Sequence, residues 1–321
     1  MGSNESELAA APHPPPNFFD AFAPGGRLSP VPKSIGENGL QLVAVLATIF
    51  CSACAPAHAA PPSRIVSLNL CTDQILVDLV PRERIAAVTT LAGDASVSAV
   101  PERFAGIDAT RGSAEDVLAR DPDLIIAGAY TTAATVDLLR RLGRRVVVVA
   151  LPDNIAGVRA VIGEIADAVG EAAAGARLVA RMDERIARVR ASTTGPTPAA
   201  LVYQINNYTA GRGTIVDEAL EIAGFRNAIS TVRSFANGQT ALESIIAAPP
   251  DVMILASEPG DAATTAADNL RHPALARLLA RVPHRVLPWP LWLCGTHNIA
   301  TAIEQLAAAR AALPTAVPPR P

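Results

Sequence analysis

Five aromatic side chains stand where they could form the walls of a binding site. Each lies at or just after the end of a predicted strand: Tyr130, Tyr203, Tyr208, Trp289 and Trp292. The carboxyl ends of parallel strands share one edge of a sheet, and α/β proteins bind ligands there. Aromatic walls suit a large, flat, partly apolar ligand such as a macrocycle or a catecholate. Core packing is the alternative for any single one, but we expect most of them to line a cleft.

Polar side chains occupy similar positions. Asn69 and Asn206 end predicted strands and could hydrogen-bond a ligand. Asparagine also favours turns without any ligand, because its side chain can hydrogen-bond the nearby backbone. Arg212 lies between two glycines just before a predicted helix, where it and the helix N-terminus could receive a carboxylate or phosphate. A surface arginine in a glycine-rich loop is an equally good interpretation of Arg212.

Cys71 and Cys294 each follow an apolar segment, SLNLC and PLWLC. A disulfide between them, two thiols facing a ligand, or two unrelated buried thiols all remain open, because the sequence does not give the distance that a disulfide needs. An enzyme with a cysteine nucleophile is also conceivable, since His297 follows Cys294 within one helical turn. The chain has neither the G-x-G-x-x-G motif of dinucleotide sites nor the G-x-S-x-G motif of hydrolases.

The elements that must position these residues alternate between strand and helix, twice along the chain. The first half has β-branched or apolar runs at 64–70, 84–89, 123–127 and 145–149, and the second at 200–206, 251–255 and 285–287. Helical spacing separates them, which predicts an α/β protein with two Rossmann-like lobes and a ligand cleft between them. A long helical stretch over 155–191, with a break near Gly170, separates the two halves.

An internal repeat supports two lobes of one design. Residues 115–126 (EDVLARDPDLII) match residues 243–254 (ESIIAAPPDVMI) at a constant offset of 128 positions. The element reads as a short helix, a Pro-Asp turn and a buried strand. Glu115 and Glu243 therefore begin equivalent helices, where the helix dipole favours acidic residues. Thr240 and Glu243 also have the spacing of a capping box.

Composition excludes several classes of protein. Half of the 321 residues are hydrophobic, which is enough for a sizeable core. Lys and Arg total 27 against 30 Asp and Glu, a net charge of −3, so we expect no nucleic-acid partner. After residue 59 only three histidines remain, too dispersed in the sequence to predict a site for a free metal ion.

Residues 1–59 read as an N-terminal extension ending in a signal peptide. The apolar run Leu40–Phe50 precedes Ala57-His58-Ala59, a small-residue cleavage site. The run is shorter than the roughly 20 apolar residues that span a membrane, so export is expected rather than anchoring. Lipoprotein processing at Cys54 is the less favoured alternative, because the residues before it make a poor lipobox.

The order of these elements resembles the iron-siderophore and vitamin B12 class of periplasmic substrate-binding proteins, which serve ABC importers. The resemblance rests on RIVSLNLCTDQ, DPDLIIA, LLRRLGRRVVVV and TAGRGTIVDEALEIAGFRNAI in this order, and covers about residues 64–313. It implies lobes over 60–153 and 195–321, joined across 154–194 by a single long helix, and it implies that Cys71 and Cys294 both lie at the cleft.

The resemblance also implies a function. We expect a non-enzymatic carrier that captures a metal chelate in the periplasm, an iron-siderophore, cobalamin or haem, and delivers it to an ABC permease and its ATPase. It implies docking of Glu115 and Glu243 on the permease. We expect no cofactor of its own and, from the few histidines, no ligands for a free metal ion. Haem would need an axial ligand, for which Tyr208 or His297 could serve. A carrier of another bulky nutrient is the remaining alternative.

Overall fold

The structure, a computed structural model, describes residues 60–231, 238–257 and 265–313. The predicted signal peptide and Cys54 lie outside these residues. In the described ranges the apolar runs form two fully parallel sheets, as a chain of alternating strands and helices requires. No helix within these ranges is both long enough and apolar enough to cross a membrane.

The first sheet has the strand order β3-β2-β1-β4-β5. Its strands are β1 (Ile65–Ser67), β2 (Ile85–Thr89), β3 (Ala109–Thr110), β4 (Leu124–Gly128) and β5 (Val146–Val149), and its helices are α1 (Leu70–Leu79), α2 (Ala114–Leu118) and α3 (Ala133–Arg141). We call this sheet with these helices the first lobe. Strand order reverses between β1 and β4, and the crevice at such a switch point is where open α/β sheets bind ligands.

The second sheet has the order β7-β6-β8-β9. Its strands are β6 (Ala199–Tyr203), β7 (Arg226–Asn227), β8 (Val252–Leu255) and β9 (His284–Val286). Its helices are α6 (Ile215–Ile222), α7 (Leu242–Ala247), α8 (Pro273–Leu279), α9 (Pro290–Leu293) and α10 (Ile299–Ala311). Helices α4 (Ile155–Val169) and α5 (Ala172–Ser192) belong to the connection between the sheets. This sheet with these helices is the second lobe. The two-residue strands β3 and β7 were not predicted, because such short segments carry no periodicity.

The chain passes from the first sheet to the second through α4 (Ile155–Val169) and α5 (Ala172–Ser192). The predicted break is at Gly170, whose φ of 75° is left-handed and ends α4. Helix α5 packs against α1 and α4 on one side and against α6 and α10 on the other. The prediction of an α/β fold with two lobes is thus confirmed.

The repeated sequence element occupies equivalent places in the two sheets. In the first lobe α2 leads into β4, which pairs with β1; in the second, α7 leads into β8, which pairs with β6. The same helix–turn–strand unit therefore stands beside the first strand of each sheet. Residues 146–148 of β5 are only partly buried, although the run is entirely valine, because β5 is an edge strand.

A single apolar cluster runs through both lobes. It includes Ile65 and Leu76 of the first lobe, Ile186 of α5, and Val202 and Ile303 of the second lobe, all nearly or fully buried. Two smaller clusters cover the remaining faces, one on each sheet. Since a shared, close-packed core resists relative movement, the lobes form one packed unit rather than two loosely joined domains.

A buried carboxyl group on α1 should make stability depend on pH. Asp73 is fully buried; its Oδ2 accepts hydrogen bonds from the amide (3.1 Å) and hydroxyl (2.6 Å) of Thr89, while Oδ1 has no partner among the described residues. Burial raises the pKa of Asp73 to about 7, and the hydrogen bonds from hydroxyl and amide groups offset only part of that rise.

Because the folded pKa of Asp73 lies above its unfolded value, the folded state binds the proton more tightly. Stability from this group is full below about pH 4 and is lost as pH rises through about 7. We expect Asp73→Asn, which stays neutral, to abolish this loss, so the melting temperature of this variant relative to that of wild type should rise between about pH 4 and 7. Parallel melting profiles across that range would contradict the prediction.

Candidate functional site

A small cavity lies where the carboxyl ends of the first sheet meet the second lobe. Its enclosed part has a volume of about 40 Å³. It is lined by Asn69 and Cys71 after β1, Tyr130 after β4, Pro152 after β5, and Gly295 from the second lobe, among others. None of its described lining residues is charged. The cavity is therefore an apolar, neutral inter-lobe site, and a ligand of the usual 300–1,000 Å³ pocket size would extend beyond it toward solvent.

Asn69 has a structural role and a free amide. Its backbone is extended and its Oδ1 accepts a hydrogen bond from the amide of Cys71 at 2.9 Å, so Asn69 caps α1. Its Nδ2 has no hydrogen-bond partner among the described residues and the side chain lines the cavity. Asn69 can therefore fulfil both predictions at once: its Oδ1 stabilises the turn into α1, and its Nδ2 remains available to a ligand.

Gly128 sets the position of the Asn69 amide. A Cβ at Gly128 would lie 2.7 Å from Cγ of Asn69, closer than carbon atoms approach. We expect Gly128→Ala to displace the Asn69 side chain. Asn69 would then no longer cap α1 or line the cavity, so both stability and ligand affinity should fall. The cap alone is worth about 1 kcal/mol.

The matched control for that change is Gly163→Ala on α4. A Cβ at Gly163 meets nothing within 4 Å, so alanine there should raise stability by up to about 1 kcal/mol through helix propensity and leave affinity unchanged. Chemical unfolding and ligand titration of both variants test the pair. Equal behaviour of the two alanine variants would contradict a role for Gly128.

Exposed apolar side chains gather at the same edge of the sheets. Tyr130 is 81% exposed after β4 and Leu151 follows β5; Ile205 and Tyr208, the latter 39% exposed, follow β6. Large apolar side chains that remain exposed at a cleft mark a binding surface more often than a packing defect. Tyr130 and Tyr208 are therefore available to a ligand in the way the sequence predicts.

The structure corrects the expectation for two other aromatics. Tyr203 is fully buried, and its hydroxyl donates to Oδ1 of Asn207 at 2.5 Å. As the last residue of β6 it points to the sheet face covered by α7 and α8. Trp292 is 4% exposed and belongs to the cluster that runs through both lobes. Trp289, by contrast, is half-buried at the start of α9.

The two cysteines form a disulfide that joins the lobes. Cys71 on α1 is bonded to Cys294 after α9, with their Cα atoms 5.0 Å apart. Cys71 lines the cavity, whereas Cys294 is buried. This contradicts the hypothesis of a cysteine nucleophile, which needs a free thiol. His297, its imagined partner, instead contacts Oδ2 of Asp78 through Nε2 at 3.0 Å.

The loop after β6 carries the remaining predicted site residues. Asn206 has a φ of 54°, a left-handed conformation that asparagine tolerates, and its carbonyl accepts from Nε2 of Gln239 at 3.0 Å. Arg212 is exposed. The helix end beside it is already capped: Oδ2 of Asp217 accepts from Gly213 N at 2.8 Å, and Thr214 Oγ1 caps α6. An anion there would face Asp217, so the helix end does not support the predicted anion site.

A wider depression of about 460 Å³ lies on the second lobe. Most of its lining residues are polar, among them Asn207, Gln239, Asp268, His272 and Glu243. The Nδ1 of His272 accepts from Ala274 N at 3.1 Å, so this histidine caps α8. Among the described residues no three histidine, cysteine or acidic side chains converge in a metal-binding group, here or elsewhere.

Glu115 and Glu243 occupy matching positions. Each is exposed and is the second residue of its helix, α2 or α7, and neither carboxylate has a hydrogen-bond or ion-pair partner among the described residues. The predicted capping box was wrong: Ala241, not Thr240, precedes α7, and the Thr240 hydroxyl lies 3.1 Å from that of Thr209.

Sequence reasoning missed several residues of this region. Gly128 and Pro152 line the cavity, and Gln74, Asp78 and Asn298 bridge the lobes. The only signal in the sequence was the position of Gly128 and Pro152 just after predicted strands. Nothing in the spacing of the other three distinguishes them from helix-surface residues.

Comparisons with known proteins identify the class. The model of a family described as periplasmic binding protein matches residues 65–290. A cobalamin-binding protein of Halobacterium salinarum is 27% identical over 197 residues, which are 60% of this chain and 53% of that protein. The chain thus spans about half the length of the curated relatives it matches.

Two solved structures have the same fold. The periplasmic heme-binding protein RhuT from Roseiflexus sp. RS-1, in apo form, is 25% identical with a TM-score of 0.61, and the match covers 77% of this chain and 97% of that one. The periplasmic vitamin B12 binding protein BtuF of Vibrio cholerae is 16% identical with a TM-score of 0.59, covering 78% of this chain and 96% of that one.

The cavity between two parallel-sheet lobes and the family match over residues 65–290 define the class. The chain belongs to the periplasmic binding protein family. Within that family it falls in the iron-siderophore and vitamin B12 group, as the sequence resemblance predicted.

Proposed function

We propose that this protein is the substrate-binding component of an ABC importer. It captures a metal chelate in the periplasm and delivers it to a permease and its ATPase, with lobes over 60–153 and 195–321 and a linker over 154–194. The observation that carries the proposal is the neutral cavity between the lobes, at the carboxyl ends of the strands, with exposed Tyr130 beside it. Such a site binds by shape and stacking, and Cys71 in its lining is not a free thiol because it is bonded to Cys294.

The cavity lining favours a chelate of low charge. Haem and ferric catecholates carry anionic groups, and a buried anion needs a cationic partner. The described lining has none, but it offers the free amide of Asn69 and the apolar surfaces of Val149 and Leu151. Cobalamin has an amide-rich periphery that such groups can match. His297, one imagined ligand for haem iron, is engaged by Asp78. We therefore rank cobalamin ahead of haem and of siderophores.

A ligand panel tests the proposal. The purified mature protein is titrated with cyanocobalamin, haemin and several ferric siderophores, and tryptophan fluorescence is followed. Trp289 is half-buried near the cleft, so a coloured chelate should quench it. Free N-acetyltryptophanamide corrects for absorption by the chelate, and calorimetry provides an independent reading. If no chelate binds at micromolar concentration, a carrier of another bulky nutrient becomes the better hypothesis.

Export is a separate part of the proposal. The apolar run Leu40–Phe50 and the Ala57-His58-Ala59 site support a Sec signal peptide removed after residue 59. N-terminal sequencing of periplasmic protein should begin near Ala60. A diacylglyceryl group on Cys54 would change the assignment to a lipoprotein, and cytoplasmic protein retaining residues 31–59 would contradict export.

A further inference from the structure

One face of α1 is fastened to the segment 294–298 of the second lobe by three different bonds. Cys71 forms the disulfide with Cys294, Oε1 of Gln74 accepts from Nδ2 of Asn298 at 3.1 Å, and Asp78 contacts His297. Positions 71, 74 and 78 are spaced three and four residues apart, so they lie on the same face of a helix. The three bonds therefore form a continuous row along the lobe boundary.

The first-lobe side of this row is itself held rigidly. Gln74 is fully buried. Asp78 also accepts from Nη1 of Arg103 at 2.8 Å, and Nη2 of Arg103 donates to the carbonyl of Val77 at 3.1 Å. The Arg103 guanidinium on this half-buried carboxylate gives a charge-assisted hydrogen bond, which is stronger than one between neutral groups.

The second-lobe side touches the cavity. Gly295, directly after the disulfide, packs so closely on the first lobe that a Cβ there would lie 3.1 Å from the carbonyl oxygen of Pro152. Cys71, Pro152 and Gly295 all line the cavity. The row of bonds is therefore at the base of the site, and the segment just before it carries Trp289 and Trp292.

We propose that these three bonds, Cys71–Cys294, Gln74–Asn298 and Asp78–His297, form an inter-lobe latch that fixes the width of the cleft at its base. The width of the cleft is then the same before and after binding, and the ligand does not have to bring the two lobes together. The tryptophan-bearing segment, although it follows the last strand of the second sheet, is held to the first lobe. This inference rests on the proposed function of the cleft as a ligand site.

Pre-organisation of this kind acts mainly on ligand dissociation. We expect Cys71→Ser with Cys294→Ser to raise the Kd for cyanocobalamin about ten-fold, mostly through faster dissociation in stopped-flow fluorescence. Gln74→Leu with Asp78→Asn keeps the disulfide and should give a smaller loss, about three-fold. This second variant also keeps the test decisive if the serine variant folds poorly.

A stability-matched control separates the latch from general destabilisation. Leu139→Ala removes a fully buried side chain of α3, away from the lobe boundary, and should lower the melting temperature without changing the dissociation rate. Hydrogen exchange, which requires no ligand, should become faster in residues 70–79 and 289–298 of the serine variant and remain unchanged there in Leu139→Ala.

The outcomes distinguish this inference from the function on which it rests. If wild type binds neither cyanocobalamin nor haemin, the chelate proposal fails. Hydrogen exchange, which needs no ligand, still tests whether the latch holds residues 289–298 against the first lobe. The latch proposal would be contradicted if both latch variants released the ligand at the wild-type rate. Unchanged hydrogen exchange in residues 289–298 of the serine variant would contradict it as well.

Discussion

Replacing Trp292 by alanine should lower the free energy of unfolding by about 3–5 kcal/mol. The side chain is 4% exposed and packs in the apolar cluster that runs through both lobes, so truncation leaves a cavity where the lobes meet. Ligand affinity should fall much less than stability, because the indole is covered by protein. Urea unfolding followed by circular dichroism, under oxidising conditions that preserve the disulfide, measures the loss.

Trp292→Phe is the matched variant. The indole Nε1 is buried without a hydrogen-bond partner among the described residues, and an unpaired buried donor is itself unfavourable by about 1–3 kcal/mol. Phenylalanine keeps most of the packing and removes that donor, so its stability should stay within about 1 kcal/mol of wild type. If alanine instead leaves stability unchanged and lowers affinity, Trp292 reaches the ligand, as its position in the sequence had suggested.

Replacing Glu115 and Glu243 together by alanine should weaken binding to the permease about a hundred-fold while leaving chelate affinity unchanged. Each exposed carboxylate has no partner within the described chain and so is available to a basic group of the permease. Losing one charge-assisted contact across an interface corresponds to about ten-fold, or 1.4 kcal/mol. Because the two residues lie on different lobes, their effects should be additive.

The importer is reconstituted in vesicles, and the protein is added to it with cyanocobalamin already bound. The amount of cyanocobalamin taken up by the vesicles is then measured. Glu83→Ala with Glu102→Ala is the control, since both residues are exposed acids, in the short 3₁₀ helices Arg82–Arg84 and Pro101–Phe104. Uptake should remain normal in the control. Normal uptake with Glu115 and Glu243 both replaced would restrict these residues to a helix-dipole role.

Periodicity along the sequence was sufficient to predict the fold. The strand and helix segments, the break at Gly170 and the repeat beginning at Glu115 and Glu243 are all visible in the sequence, because each depends on neighbouring residues. The predicted segments agree with the observed elements to within a few residues at most ends. The two-lobe architecture followed from the order of these segments and from the repeat, and the family followed from their resemblance to a known class of proteins.

The accessibility of the aromatic side chains depended on the tertiary structure. Tyr203 and Tyr208 are five residues apart near the end of β6, yet one is fully buried and the other is 39% exposed. The difference arises because α7 and α8 cover the sheet face to which Tyr203 points. A strand places alternate side chains on opposite faces, but the elements that cover each face come from distant parts of the chain.

The sequence by itself determined that Cys71 and Cys294 each follow an apolar segment. Only the tertiary structure decided that they are bonded across 223 residues, beside Gln74–Asn298 and Asp78–His297. Helical periodicity places positions 71, 74 and 78 on one face of α1. It contains no information on which surface that face meets, because the packing of α1 against the end of the second lobe depends on both lobes being folded together around their shared core.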